Sequence, residues 1–413
     1  MPSTLTPATI ALVKATVPAL EAHGFEITRR MYERLFQNAS IRDLFNQSHH
    51  GEAGSQSKAL ADAVLAYARN IDNLGVLAGA VERITQKHVS LNILPEHYAF
   101  VADALLGAIQ DVLGQAATPE ICAAWSDAYW FLADLLIGRE AAIYRELASQ
   151  PGGWNGWRDF VVESVKDESE IIRSFILRPA DGGPILRHRP GQYLGFLFDI
   201  PGHGVLKRTY SISCGPNDRA YRITVKREAT PGIPAGIVSN WLHDQAGPGT
   251  IFKVAQPAGH FFLDASDAAP VVLVSGGVGL TPMMSMIESI AATTPKRPTW
   301  YIHGALNGRV HAMRARVREL AERAQELRIH TFYANPQAGD RQGEDYDESG
   351  LIKADWLARH TPIEQATYFL CGPKPFLRAL VTGLRSTGVP AERTRYELFG
   401  PGDELQEATP LVA

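Results

Sequence analysis

What most constrains this chain is a change of pattern in its middle. Up to about residue 148 apolar residues recur at helical spacing with no strand signal. After Pro151-Gly152-Gly153 come short alternating runs and then a glycine-rich strand-to-helix turn. No single layer architecture carries both patterns. The reading is therefore multidomain: an all-α domain over 1–148, an antiparallel β-barrel over 154–264, an α/β domain with a parallel sheet over 266–401, and an acidic, irregular and mobile tail over 402–413. A chain of 413 residues has the length for this, since single cores rarely grow past ~250–300 residues.

Forty basic residues stand against 44 acidic ones, with no polybasic run. Capture of nucleic acid or of an anionic membrane is not supported, and small molecules are the expected partners. Cys122, Cys214 and Cys371 are far apart and form no C-x-x-C. A disulfide scaffold, a zinc ribbon and a Cys-ligated cluster are therefore disfavoured. There is no secretory signal pattern and no run of 18 apolar residues, so a soluble, cytoplasmic protein without a membrane span is expected, as a monomer.

In the first domain Thr6-Pro7 reads as a helix N-cap followed by proline at the first helical position. A second helix sets Phe25, Thr28, Tyr32, Leu35 and Phe36 on one face, and a third aligns Gln56, Leu60, Val64, Tyr67 and Ile71. Leu77, Val81, Ile84 and His88 continue the pattern, so His88 is expected inside. Pro95 restarts a helix, and a last long helix carries Trp125, Tyr129, Leu132, Leu136, Glu140 and Ile143 on one side. Taken singly, His88, Tyr32 and Gln56 read as ordinary core or helix-end residues. Glu140 is different, because a buried carboxylate without a donor is costly. An inward His, with Tyr98 and Glu140 able to reach it and Tyr32 and Gln56 on other helices, suits a haem pocket. One imidazole nitrogen would meet iron while the other donates a hydrogen bond.

In the barrel, Arg208-Thr209-Tyr210-Ser211 is the R-x-Y-S pattern of ferredoxin reductase-like flavoproteins, preceded by Gly191-Gln192-Tyr193 and followed by the segment GIVSNWL, Gly236 to Leu242. Flavin chemistry asks for an arginine on the pyrophosphate and a tyrosine ring on the isoalloxazine, with serine and backbone groups on its heteroatoms. Gly236 and Ser239 read as a helix start that receives phosphate. The third domain opens on the apolar run Val271 to Val274. Gly276-Gly277-Val278-Gly279-Leu280-Thr281-Pro282 then allows a tight turn and a phosphate at a helix N-terminus. Later strand patterns, TWYIHGA and ATYFLCGP, end in glycine-bearing loops at the same carboxyl edge.

The stretches MYERLF, DLFNQS, SQSKAL, AYARNI, ITQKHVSLNILPEHY and GREAAIY resemble the globin domain of flavohaemoglobins, and the resemblance runs on to Pro401. It implies haem b, FAD and NAD(P)H as cofactors. His88 would be the iron ligand and Tyr98 and Glu140 its relay, with Tyr32, Gln56 and Leu60 on the opposite side, Phe45 on the haem face and Lys87 beside the ligand. Tyr193, Arg208, Thr209, Tyr210, Ser211, Gly236 and Ser239 would serve FAD, with Glu397, Phe399, Gly400 and Pro401 from the terminal motif and Phe399 as a lid. Gly277 through Pro282 and Cys371-Gly372-Pro373 would serve the nicotinamide nucleotide. His260 departs from the family, which commonly carries an acid there. The implied reaction is oxidation of nitric oxide by O2 to nitrate. A haem-dependent alkyl or lipid hydroperoxide reductase, and an oxygen carrier or gas sensor, fit the same residue types. Neither an acid nor an arginine is placed by sequence at a ribose 2′ position, so NADH and NADPH both stay open.

Overall fold

The computed structural model describes residues 4–42, 55–229, 232 and 234–400. Its first part is helical: α1 (Pro7–Ala15), α2 (Val17–Leu35), α3 (Ala39–Arg42), α4 (Ser55–Arg69), α5 (Ala78–Ser90), α6 (Pro95–Leu113) and α7 (Pro119–Ser149). Thr6 caps α1 through its hydroxyl, which accepts from Thr9 N at 3.1 Å, and proline opens α1, α6 and α7. Proline has no N–H to lose at a first-turn position. α2 packs against α4 and α6, and α1 against α7. The core holds Val13, Ile27, Met31, Tyr32, Tyr67, Ile109 and Trp125, and Trp125 Nε1 donates to Thr16 Oγ1 at 3.2 Å.

Two expectations about faces fail. Phe25 is 45% exposed and Ile84 36%. Helical spacing identifies a stripe, but it does not say what covers the stripe. α7 is long and apolar enough, by length and composition alone, to cross a membrane. Here Trp125, Ala128, Leu136, Glu140 and Ile143 on one side of it are buried against the bundle.

The linker requires glycine. Gly152 has φ +76°, and a Cβ there would strike the backbone of Ile185. Beyond it, β1 (Arg158–Asp167), β2 (Ile172–Pro179), β3 (Tyr193–Ile200), β4 (Gly204–Ser211), β5 (Tyr221–Lys226) and β6 (Ile251–Val254) form an antiparallel sheet of order β4-β3-β6-β1-β2-β5. The bridge between Ile212 and Ile223 joins its two edges, which turns the sheet into a barrel with no open edge at that point. Phe160, Phe175, Phe196, Phe198 and Phe252 fill it. A short helix, α8 (Ile237–Asp244), lies against β3 and β5.

The last part is a parallel sheet of β7 (Val271–Gly276), β8 (Thr299–Ala305), β9 (Leu327–Tyr333), β10 (Glu348–Ser349), β11 (Thr367–Cys371) and β12 (Thr394–Glu397), in the order β10-β9-β8-β7-β11-β12. Between them run α9 (Leu280–Thr293), α10 (Arg314–Arg323), α11 (Ala354–His360) and α12 (Lys374–Ser386). Every residue of β7 is buried, because Val271 and Leu273 face one core and Val272 and Val274 the other. Each such side chain contributes roughly 1.5–3 kcal/mol of transfer free energy. That two-sided burial is why the run is continuously apolar.

Candidate active site

α5 carries the site. His88 Nδ1 lies 2.7 Å from Glu140 Oε1 and 3.0 Å from the Tyr98 hydroxyl, and that hydroxyl donates to the same Glu140 oxygen at 2.6 Å. α5, α6 and α7 thus bring one residue each to a closed triangle. A carboxylate only accepts, so with Tyr98 and His88 both pointing at Oε1 the imidazole proton sits on Nδ1 and the lone pair on Nε2. Burial, then the bond to Glu140, holds the Tyr98 phenol well above its ordinary pKa, so it remains a donor at any working pH. The Glu140 side chain is 3% exposed and that of His88 29%. The imidazole is therefore half-buried, where its spacing placed it inside.

Tyr32 and Gln56 form a second cluster on α2 and α4. They hydrogen-bond to one another, and burial pushes the Tyr32 phenol up to about 12. Leu60, one turn along α4, packs on the same core as Tyr32. Phe45 lies outside the described residues, as do Pro401 and the tail 402–413.

From Gln86 to Leu91 the end of α5 rests on the barrel. Gln86 Oε1 accepts from Gly259 N at 3.0 Å. Lys87 Nζ donates to Thr209 Oγ1 at 3.1 Å and lies 5.6 Å from the centre of the Tyr193 ring. Ser90 hydrogen-bonds Tyr193, and its carbonyl occupies the space that a Cβ at Gly195 would need. Lys207 Nζ donates to Leu91 O at 2.6 Å. Tyr193 and Thr209, expected on the flavin, thus also touch the helical part. Arg208 Nη1 bonds Lys207 O at 2.7 Å, which leaves most of the guanidinium's donors for a ligand. Tyr210 packs edge-on to Phe196, and Ser211 pairs with Tyr193 in the ladder. Gly236 caps α8, while Ser239 Oγ accepts from Glu228 N and donates to Gly236 O, both at 3.2 Å. His260 lies beside Glu82 of α5 and helps to lower that carboxyl's pKa, after Arg139 and Gln86.

The parallel sheet reaches the same place. Glu397 ends β12, and its carboxyl is pushed up to about 7, mainly by burial and against the pull of Lys87 and Arg83. Phe399, beyond it, is 47% exposed, and Gly400 is exposed as well. At the carboxyl end of β7, Gly277 (φ +55°) through Gly279 make one 3₁₀ turn before α9. A Cβ on Gly279 would strike the carbonyl of Cys371, so the turn and the end of β11 approach as only glycine permits. Val278 O accepts from the Thr281 hydroxyl at 3.1 Å, and Leu280, Thr281 and Pro282 are buried. Cys371 is fully buried, which raises its thiol pKa far above the ordinary value. Gly372 and Pro373 lead into α12. Lys207, Gln86 and Ser90 were missed by sequence reasoning. A lysine within the strand pattern Gly-Val-Leu-Lys-Arg was the one visible signal.

Comparison with known proteins agrees with this architecture. Residues 29–136 match the globin family, and 273–382 the oxidoreductase NAD-binding domain family. A flavohemoprotein from Xylella fastidiosa (strain Temecula1) is 52% identical over 408 residues, 99% of this chain and 100% of that one. One from Rhodopirellula baltica is 46% identical over 401 residues, 96% and 98% of the two chains. Among solved structures, flavohemoglobin from Malassezia yamatoensis with bound FAD and heme aligns at TM-score 0.84 and 24% identity, over 96% of this chain and all of the other. The FAD/NAD-binding domain of nitric oxide dioxygenase from Vibrio cholerae aligns at TM-score 0.54 and 35% identity, over 59% of this chain and 99% of that one.

Proposed function

The chain belongs to the flavohemoprotein family, and on that premise we propose that it is a nitric oxide dioxygenase, converting nitric oxide and O2 to nitrate with electrons from NAD(P)H. At the coarser level it is a haem- and flavin-dependent oxidoreductase. Haem b supplies the iron at which the two gases combine, FAD the exchange between two-electron and one-electron transfer, and NAD(P)H the hydride.

The residues fit all three groups. His88 offers Nε2 to iron, and Glu140 and Tyr98 keep the proton on the other nitrogen and make the imidazole a stronger donor. Tyr32 and Gln56 make a hydrogen-bonding pair for a small polar ligand. For FAD, Arg208 brings charge to the pyrophosphate, Tyr210 and Ser211 a ring and a hydroxyl, and exposed Phe399 a cover for the flavin face. The turn from Gly277 to Pro282, with Cys371, Gly372 and Pro373 against it, would take the nicotinamide nucleotide. Leu60, Lys87, Tyr193, Thr209, Gly236, Ser239, Glu397 and Gly400 complete the proposed sites, with Phe45 and Pro401 carried by the resemblance.

The observation that carries this reading is that one helix holds both the braced imidazole of His88 and, at Lys87, the bond to the flavin strand. Electrons from the second half therefore have a short way into the first. With purified, cofactor-loaded protein and NADH, nitric oxide should disappear only when O2 is present, with nitrate formed in step. Faster loss of an alkyl hydroperoxide under the same conditions would favour the reductase instead. Tight oxygen binding with negligible NADH use would favour a carrier.

A further inference from the structure

From β7 the chain builds the parallel sheet in two directions, β8, β9 and β10 to one side and β11 and β12 to the other. Open parallel sheets bind ligands at such a reversal, outside the carboxyl ends of the strands. Here that is the turn Gly277–Gly279 at the start of α9. A dinucleotide with its pyrophosphate on this turn has its two ends over opposite sides of β7. On one side stand Cys371 and Glu397, and Glu397 feels Lys87 of the flavin seam, so the nicotinamide belongs there. The adenosine ribose would then be received at the carboxyl ends of β8 and β9, where Gly308 and Gln337 follow the strands.

At that place the backbone donors already serve a carboxylate. Asp340 accepts from Gly308 N at 3.2 and 3.3 Å through its two oxygens, and from Gln337 N at 2.7 Å. A Cβ on Gly308 would collide with Asp340 Oδ1, so the contact depends on glycine. The surrounding guanidiniums are matched as well. Arg309 meets Glu170 at 2.6 Å and Arg341 meets Glu344 at 2.6 Å. Arg314 meets Asp345, and Arg318 donates to the Glu344 carbonyl. Lys374 and Arg378 belong to α12, on the nicotinamide side of β7.

We propose that Asp340 makes this protein selective for NADH, by placing negative charge on the backbone donors that a 2′-phosphate would otherwise use. A ribose 2′-hydroxyl can donate to a carboxylate. A phosphate monoester, carrying about −1.5 to −2 charges near neutrality, is repelled by one. The proposal rests on the flavin-reductase part of the reading above and is independent of nitric oxide.

The test is anaerobic bleaching of the flavin in FAD-loaded protein by NADH and by NADPH, with no gas added. The wild type should bind NADH at least ~100-fold more tightly, a discrimination within reach of like-charge rejection. Asp340→Asn keeps an amide oxygen for Gly308 and Gln337 but removes the charge. It should tighten NADPH about tenfold or more while weakening NADH only a few-fold, since the amide oxygen still accepts from the 2′-hydroxyl but without the charge, and calorimetry with 2′,5′-ADP against ADP should move in parallel. In the unsubstituted protein, added salt should narrow the gap by screening, a measurement that decides the matter if the variant folds poorly. Equal use of both nucleotides, or a ratio untouched by Asp340→Asn and by salt, overturns the selectivity alone. Bleaching by neither nucleotide overturns the reductase reading and the selectivity with it.

Discussion

Among single residues, Glu140 carries the most. Its side chain is 3% exposed and its carboxylate takes two donors on one oxygen, which satisfies a buried polar group and orients the imidazole together. Glu140→Gln replaces the acceptor with an amide that satisfies Nδ1–H less strongly. In haem-loaded protein the iron–histidine vibration should fall in frequency, and nitric oxide turnover should drop ~10–100-fold, the usual cost of losing an outer-shell partner. An unmoved vibration would remove the relay. This triangle was legible because a carboxylate in an apolar row demands a donor, and Tyr98 and His88 were the residues able to supply one. The error at Ile84 has the opposite origin. Helical spacing marks that side chain as apolar-facing, yet no neighbouring element among the described residues covers it and it is 36% exposed.

At the scale of elements, α5 is held at its carboxyl end by Lys207 of β4, whose ammonium meets Leu91 O at 2.6 Å and lies 5.1 Å from the centre of the Trp157 ring. A cation at a helix C-terminus offsets the partial negative charge of unpaired carbonyls. Burial lowers this lysine's pKa to about 8. It is therefore charged below that pH, and the clamp weakens as pH rises through it. We expect electron transfer from reduced flavin to haem to slow above pH 8. Lys207→Met should be slow and pH-insensitive, and Lys207→Arg should restore the rate beyond pH 8. Flavin reduction by NADH should be the same in all three, since it does not cross this seam, and a parallel loss there would count against the clamp. The strands that carry this contact were partly legible. β3 and β7 announced themselves by alternation or by a continuous apolar run, and β4 only from Arg208 onward, which leaves Lys207 outside the legible stretch. β6, four residues long, and β12, likewise four, offer too little pattern to separate from loop. Their strand state comes from partners distant in sequence, as where β6 joins β1 to β3.

Across the whole molecule, the three parts meet around Lys87. It donates to Thr209 of the barrel, neighbours His88 in the bundle and faces Glu397 of the parallel sheet. Composition and motifs made the three parts legible, but this convergence was not, because no local pattern reports which surface of one domain covers another. The meeting has an electrostatic consequence. Burial raises the Glu397 carboxyl to about 7 against the pull of Lys87 and Arg83, so near neutrality the carboxyl is shared between its neutral and ionised forms. Below pH 7 it is mostly protonated; above pH 7 it adds a negative charge where the flavin is proposed to lie. Negative charge nearby disfavours the electron-rich reduced flavin. The flavin midpoint potential of the wild type should therefore fall below that of Glu397→Gln at pH 8 by tens of millivolts, ~30 mV being a tenfold change for a two-electron couple. At pH 6 the two should nearly coincide. Redox titration at both pH values measures this directly, and a gap of the same size at each would mean that Glu397 does not ionise in this range.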